Sequence, residues 1–392
     1  MCTEQWNSPL AGVSVFIKAG SRNETLDTSG AAYFLERTNY LGTERRSKAE
    51  LEAEVEGLGG QLNSKTGREV TSYNMQVFNN DVERAVDILG DMLTSSSLNE
   101  NQLEAERDAI SRTHENNHNE FRFTTLENAH FNAYREHMIG QPVRGDRDNA
   151  PHITLDHVRD FQRANYYGDN IVVVATGNVR HNDVVDMVER HFGRIGKQPP
   201  LDTVRQNSER PVYTPALMFV RDDEMYNANV AVFYDAPPQN HPDYYGFLLL
   251  QNVLGEYRVD KHAEHLNDVR KQYHALHSML GDLPDVTQHS AHYFAYGDAG
   301  LYGNYFFGNE VFSRQMAYCG LAVHTIYGHY FTDVEVFRSR NKLYNKLLEN
   351  ETVGGVAQEI GPQILYSPLC LLSLGTRTVA FRGQRSQSAW LS

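Results

Sequence analysis

The sequence predicts an α+β fold of two similar α/β domains that face each other across a cleft. Predicted strands come in pairs before helices, which is typical of the α+β class. A polar, proline-containing stretch in the middle of the chain predicts a linker, and the order of elements before it repeats after it. We therefore predict one domain over residues 1–196, a linker over 197–210 and a second domain over 211–392.

The first predicted elements are a strand, a polar loop and two helices. Apolar residues over 13–18 predict the strand, and the next helical pattern runs over 31–41. Ser47 and Glu50 form a capping box, which predicts the start of a second helix. The apolar face of this helix consists of Leu51, Val55 and Leu58.

The rest of the first half predicts two more strands and three helices. Residues 71–77 alternate between apolar and polar side chains, as a half-buried strand does. Residues 82–93 carry apolar side chains at helical spacing. A long polar helical stretch covers 101–137, a continuous apolar strand covers 171–175, and a helix covers 183–192.

The second half predicts a similar series of elements. V-A-V-F-Y-D-A at 230–236 resembles the strand at 13–18, and a helix ending at Leu254 resembles the one ending at Leu41. A further helix covers 333–350. This repetition is the basis for predicting two similar domains.

The charge and hydropathy of the chain exclude two classes of function. The chain has 36 Lys and Arg against 50 Asp and Glu, a net charge of −14. Nucleic-acid binding requires clustered Lys and Arg, so we expect no nucleic-acid partner. No apolar run approaches the roughly 18 residues of a membrane span, so we expect a protein peripheral to any membrane it serves.

One motif in the first half matches a zinc site. His114, Glu115 and His118 fit H-E-x-x-H, in which two histidines one helical turn apart bind zinc and the glutamate is the general base. Polar neighbours surround the motif, whereas a zinc-binding helix normally packs in a core. The sequence therefore favours a solvated helix here, and a zinc peptidase using His114 and His118 stays open as an alternative.

The segment G-A-A-Y-F-L-E-R at 30–37 is similar to the zinc-binding helix of the pitrilysin family, the inverzincins. Most of the chain keeps the order of that family. By this resemblance the two histidine ligands fall on Tyr33 and Arg37, and the general base falls on Glu36. The third ligand, a glutamate in the family, falls on Thr113, 76 residues after Arg37. The resemblance therefore implies a degenerate site without metal or cofactor, in which Glu36 pairs with Arg37 or lies solvated.

The same resemblance implies a function and a location. Within the family, the Y-F-x-E pattern is closest to core protein I of respiratory complex III. We therefore expect a structural subunit that is not an enzyme, on the matrix side of the mitochondrial inner membrane. Its partners would be a core-protein-II-like subunit, cytochrome b, cytochrome c1 and the Rieske protein. The alternative is a non-catalytic or residually active subunit of a mitochondrial processing peptidase. We also expect a missing targeting leader and an incomplete second domain.

Overall fold

A computed structural model describes residues 2–5, 8–117, 121–199, 209–221, 225–258, 286–326, 331–348, 352–366 and 379–381. The chain forms two compact units, and neither is continuous in sequence. The first unit comprises 1–111, 142–208 and 350–392, and the second comprises 112–141 and 209–349. The chain crosses from the first unit to the second after residue 208, and this crossing lies within the predicted linker 197–210. The predicted domain boundaries at 196 and 211 stay a prediction.

Within the described residues, the strands are β1 (Cys2–Gln5), β2 (Leu10–Ile17), β3 (Gln61–Thr66), β4 (Thr71–Phe78), β5 (Ile171–Gly177), β6 (Asn227–Asp235), β7 (Glu256–Arg258), β8 (Val286–Ala295), β9 (Gly300–Asn309) and β10 (Val379–Phe381). The helices are α1 (Ala31–Thr38), α2 (Lys48–Gly57), α3 (Val82–Thr94), α4 (Glu100–Asn117), α5 (Phe121–Ala133), α6 (Leu155–Asn165), α7 (His181–Phe192), α8 (Tyr244–Leu254), α9 (Ser313–Ile326), α10 (Asp333–Leu348) and α11 (Val353–Tyr366). Both halves mix helices and strands, which confirms the α+β prediction of two similar domains. Among these helices, none combines the length and the apolar composition needed to span a membrane.

The first unit contains a six-stranded sheet in the order β10-β1-β5-β2-β4-β3. The β1–β5 pair is parallel and the other neighbours are antiparallel. β3 lies at one edge of this sheet. One face packs on the main core with α1 and α3. On the opposite face, α11 packs against β2 and β5, and Phe16 is buried against this helix.

Local signals explain most element boundaries. The predicted capping box at Ser47 is confirmed, since its side chain accepts a hydrogen bond from the backbone N–H of Glu50. The predicted helix over 31–41 is three residues too long. It ends at Thr38 because Tyr40 and Leu41 bond back only three residues and Gly42 has a φ of 119°. The helical stretch predicted over 101–137 corresponds to α4 up to Asn117 and α5 from Phe121, and residues 118–120 between them lie outside the described residues. Its predicted end is four residues too long, since α5 ends at Ala133.

The second unit contains a four-stranded antiparallel sheet in the order β6-β9-β8-β7. Alternate residues of β9 face opposite sides, as the period of a strand requires. Tyr302 and Phe306 join the core on one face together with Met316 of α9. Leu301 joins the core on the other face, where Tyr134, just after α5, donates a hydrogen bond to the carbonyl of Gly300 at 2.8 Å.

Candidate functional site

A buried carboxyl group holds the start of α1. The Glu24 side chain is 1% exposed and accepts hydrogen bonds from the backbone N–H groups of Gly30 at 2.9 Å and Ala32 at 2.7 Å. These are N–H groups that the first turn of a helix leaves without a partner. Burial raises the pKa of Glu24 to about 8, against the opposing effect of the two backbone hydrogen bonds. Glu24 thereby fixes the helix that carries the predicted site.

Two glycines let the chain approach this helix end. Gly30 has a φ of 107°, and Gly145 has a φ of 81°. A Cβ atom at Gly145 would lie 2.5 Å from the Cα of Gly30. Because both the φ values and this close approach exclude larger residues, the glycines fix the N-terminus of α1 against the loop at 145.

The predicted site residues Tyr33, Glu36 and Arg37 share one side of α1. Positions three and four residues apart are neighbours on a helix surface. Tyr33 is half-buried and packs against the main core of the first unit. The structure therefore brings these three predicted positions together, as the family resemblance implies.

Glu36 faces the edge strand β3. It is 8% exposed and accepts a hydrogen bond from the Ser64 hydroxyl at 2.6 Å and another from the Thr66 hydroxyl. The expectation that Glu36 pairs with Arg37 or lies solvated is wrong. The physical reason is that β3 presents two hydroxyl donors, which satisfy the carboxylate where it is buried.

Arg37 makes its ion pair with a residue of α4. Its Nε donates to Glu106 Oε2 at 3.1 Å, and its side chain is 45% exposed whereas that of Glu106 is 13% exposed. Burial lowers the pKa of Arg37, but the charge and hydrogen bond of Glu106 outweigh it, so the pKa lies above its ordinary value. Arg37 is therefore a permanent cation at a position where the family has a ligand.

Thr113 lies seven residues after Glu106 on α4 and is half-buried. The boundary between the two units falls within α4, between residues 111 and 112, and Thr113 belongs to the second unit. We therefore describe its place along α4 and not its position relative to α1. His114 lies on the last turn of α4, and His118 lies outside the described residues. The alternative site at His114 and His118 therefore stays a prediction.

The side chains at the three ligand positions that the resemblance assigns do not fit zinc. Zinc in proteins is held by Cys, His, Asp or Glu, whereas the corresponding positions carry a phenol, a guanidinium and a hydroxyl. Among the described residues, no group of three or more His, Cys, Asp and Glu is placed to hold a metal ion. Arg37 in addition places a fixed positive charge there. We therefore derive no chemical step through a metal at this site.

Four residues of this site carry roles that sequence reasoning missed. Glu24 and Glu106 are separated from α1 in sequence, and neither stands in a pattern that shows its partner. Ser64 and Thr66 alternate along β3, a spacing that places both on one face of a strand. That signal could have indicated a pair of hydroxyl donors, but only the fold shows that α1 supplies the acceptor.

The second unit contains a separate open depression of about 540 Å³ beside α5. Arg122 lies at this depression, with its guanidinium carbon 5.6 Å from the ring centre of Tyr305. It donates to Ser290 at 3.2 Å and to Glu256 at 3.3 Å. Sequence reasoning missed this depression, which is lined by Phe121, Arg122, Phe123, Leu126, Asn229, Gln288, Tyr305 and Phe307.

Two family models match the chain. Residues 1–147 match "Insulinase (Peptidase family M16)" and residues 152–317 match "Peptidase M16 inactive domain". Among solved structures, a protease from Helicobacter pylori has a TM-score of 0.78 at 19% identity, covering 93% of this chain and 86% of that one. Complex III2 from Candida albicans, with Inz-5 bound, has a chain with a TM-score of 0.77 at 16% identity, covering 94% and 84%. At these identities the two structures support the fold alone.

Curated relatives match over most of their length. The mitochondrial-processing peptidase subunit beta of Lentinula edodes is 32% identical over 93% of this chain and 78% of that protein. The subunit of the same name from Neurospora crassa is 30% identical over 90% and 74%. The human one is 29% identical over 90% and 71%.

These names correct one expectation. The prediction that this chain is not an enzyme is wrong, because its relatives are named as subunits of a peptidase. That prediction extended the loss of three ligand positions to the whole protein. The similarity covers nine-tenths of the chain, so it outweighs an argument from three side chains.

Proposed function

Since this chain belongs to peptidase family M16, we propose that it is a subunit of a processing peptidase of the mitochondrial type. The observation that carries the proposal is the 32% identity to a processing-peptidase beta subunit over 93% of this chain. The relatives' names contain "mitochondrial" and "subunit". We therefore propose a mitochondrial location and a second peptidase subunit as the partner.

The geometry of α1 supports a site that binds a polypeptide. Glu36 keeps the family's register and lies buried against the edge strand β3, where Ser64 and Thr66 donate to it. Arg37 lies beside it, held by Glu106. We propose that the exposed side of α1 binds and orients the polypeptide, and that this site holds neither zinc nor another cofactor.

A second candidate is a subunit of complex III, which the Y-F-x-E pattern of α1 favours. Replacement of all three ligand positions by Tyr33, Arg37 and Thr113 is the observation behind it. In that case the chain would lie at the inner membrane with a core-protein-II-like subunit and the cytochromes. The two candidates differ in their partners, and this difference is measurable.

The test is affinity purification of the tagged full chain from mitochondria, followed by mass spectrometry and a haem absorption spectrum. The processing-peptidase proposal predicts one co-purifying subunit of the same family and no haem absorption. Co-purification of cytochrome b, cytochrome c1 and the Rieske protein with stoichiometric haem would contradict it and support the second candidate.

Zinc content of the same preparation tests the motif at 114–118. We expect the chain separated from its partner to contain no stoichiometric zinc, because His114 and His118 have polar surroundings in sequence. Zinc that is present in the wild-type chain and lost in His114→Ala would contradict this expectation and assign the metal to α4. Asn132→Ala, on α5, is the control, since it removes a polar helical side chain outside the motif.

A further inference from the structure

We propose that Arg37 binds a backbone carbonyl oxygen of the polypeptide, with its guanidinium group in the position that the family gives to a metal ligand. This inference rests on the proposed function, because it takes a polypeptide as the ligand. It goes beyond that function by assigning the contact to one side chain and by specifying the acceptor.

The first observation is the unused hydrogen-bonding capacity of Arg37. A guanidinium group has five N–H donors, and the single bond to Glu106 uses the one on Nε. To the described residues, the two terminal nitrogens make no hydrogen bond. Since the side chain is 45% exposed, these four donors are available to a ligand that lies on α1.

The second observation is that Glu106 fixes the direction of these donors. A guanidinium group is planar and rigid, so a hydrogen bond at Nε sets the plane that contains the terminal nitrogens. Glu106 is itself largely buried on α4, with a side chain 13% exposed. Arg37 is therefore oriented before a ligand arrives, which lowers the entropic cost of binding.

The third observation is the charge around Arg37, which decides between possible acceptors. Glu36 and Glu106 are both acidic and lie next to it, so the local group of three side chains carries a net charge of about −1 when all are ionised. An added carboxylate would be repelled by this net charge. A peptide carbonyl oxygen is a strong acceptor without net charge, and it is therefore the acceptor that the site favours.

Tyr33 lies on the same side of α1, four residues before Arg37, and is half-buried. Its phenol is also a hydrogen-bond donor. The side of α1 between Tyr33 and Arg37 thus provides one neutral and one cationic donor group, whereas the buried Glu36 already has two hydroxyl partners. Acceptors on a ligand, rather than donors, match this surface.

The experiment measures binding of a dye-labelled precursor leader peptide to the purified full chain by fluorescence anisotropy. Both peptide ends are blocked, and EDTA is present. We expect wild-type binding to persist in EDTA, and Arg37→Gln to weaken it roughly tenfold, the effect of losing a hydrogen bond from a charged donor. Arg37→Lys, which keeps the charge but loses the planar fork, should weaken binding by a smaller factor.

The matched control is Arg84→Gln. Arg84 is also in the first unit, is also paired with a glutamate, and has a side chain 58% exposed. The Arg84→Gln substitution removes one positive charge, as Arg37→Gln does, but at a position outside α1. Binding should therefore stay within about twofold of wild type. Circular dichroism of each variant checks that the chain is folded.

Three results would overturn the inference. They are equal binding by Arg37→Gln and wild type, a free-carboxylate form of the peptide that binds about tenfold more tightly than the blocked form, or binding that EDTA abolishes. The outcome is separate from the proposed function. Arg37-dependent binding without any cleavage by the purified assembly contradicts only the proposed function, whereas cleavage with Arg37-independent binding contradicts only this inference.

Discussion

In each unit a helix covers one face of the sheet, but the two helices cover their faces to a different extent. In the first unit, α11 closes the face, and Gly361 lies so near Phe16 that a Cβ atom would be 2.2 Å from its ring. In the second unit, α5 leaves an open depression of about 540 Å³ lined partly by aromatic side chains. A closed face contributes to stability through packing, whereas an open face keeps apolar surface in contact with water.

Each of the two covering helices, α5 and α11, comes from a segment that is separated in sequence from the rest of its unit. α5 belongs to the second unit although its segment, 112–141, lies between two segments of the first unit, and α11 belongs to the first unit although it follows the second unit's segment 209–349. Each unit therefore depends on a segment that is distant in sequence. Stability measurements on substituted chains test whether the closed and open faces differ in stability as the packing indicates. All use pulse-labelling hydrogen exchange across a urea series, which reports each unit separately.

The largest expected effect is in the second unit, on β9. Phe306→Ala should lower the free energy of unfolding by about 4 kcal/mol, because Phe306 is fully buried and its loss leaves a cavity. Phe307→Ala, the neighbour at the open depression, should cost about 1 kcal/mol, since no closed cavity forms. Equal losses for the two variants would show that the α5 face is as tightly packed as the opposite face.

The next effect is in the first unit. Gly361→Leu should lower the free energy of unfolding by about 3 kcal/mol, because the new side chain meets the buried ring of Phe16. Exchange should accelerate in β2 and β5 and not in β8 or β9. The control is Gly354→Ala on the same helix, where the added Cβ meets only the Gln76 side chain at 3.7 Å. An unchanged free energy of unfolding in Gly361→Leu would contradict the close packing of α11 on β2.

The smallest effect is a pH dependence of the second unit. Burial and the nearby Arg122 lower the pKa of His292 to about 4, although Glu256 opposes this. Because the folded-state pKa lies below the ordinary value of 6.5, the unfolded chain binds the proton more readily, and stability falls as pH falls from 6.5 towards 4. At pH 5 the loss relative to pH 7 should be about 2 kcal/mol.

His292→Gln provides the comparison for this titration. The variant keeps a hydrogen-bonding group near Ser290, whose hydroxyl lies 2.8 Å from His292 Nε2, but it has no charge to gain. Its stability should therefore change less between pH 7 and pH 5 than that of the wild type. An identical pH dependence in both proteins would assign the titration to another group.

Local patterns predicted the elements of this fold well. The capping box at Ser47 and the alternation of Thr71, Tyr73, Met75 and Val77 both depend on contacts between near neighbours, and all four of those strand residues are buried. The placement of α11 could not be predicted in this way. α11 covers β2 because Gly361 packs against Phe16, and these two residues are more than 340 positions apart in the sequence.

The candidate site was predictable only in part. The resemblance placed Tyr33, Glu36 and Arg37 together, because helical spacing is a local property. The partners were not predictable, since Glu36 bonds to Ser64 and Thr66 and Arg37 bonds to Glu106, and each of these comes from another element. Charge alone suggested a Glu36–Arg37 pair, whereas the fold supplies hydroxyl donors to the first and a second carboxylate to the other.

The central claim is that this chain is a subunit of a processing peptidase, and precursor cleavage by its purified assembly tests this most directly. The assembly is captured through the tagged chain, incubated with a mitochondrial precursor, and the products are measured by mass spectrometry. We expect a single released leader of defined length, and loss of this product when the tagged chain is depleted. An intact precursor after incubation with a complete, haem-containing assembly would contradict the claim.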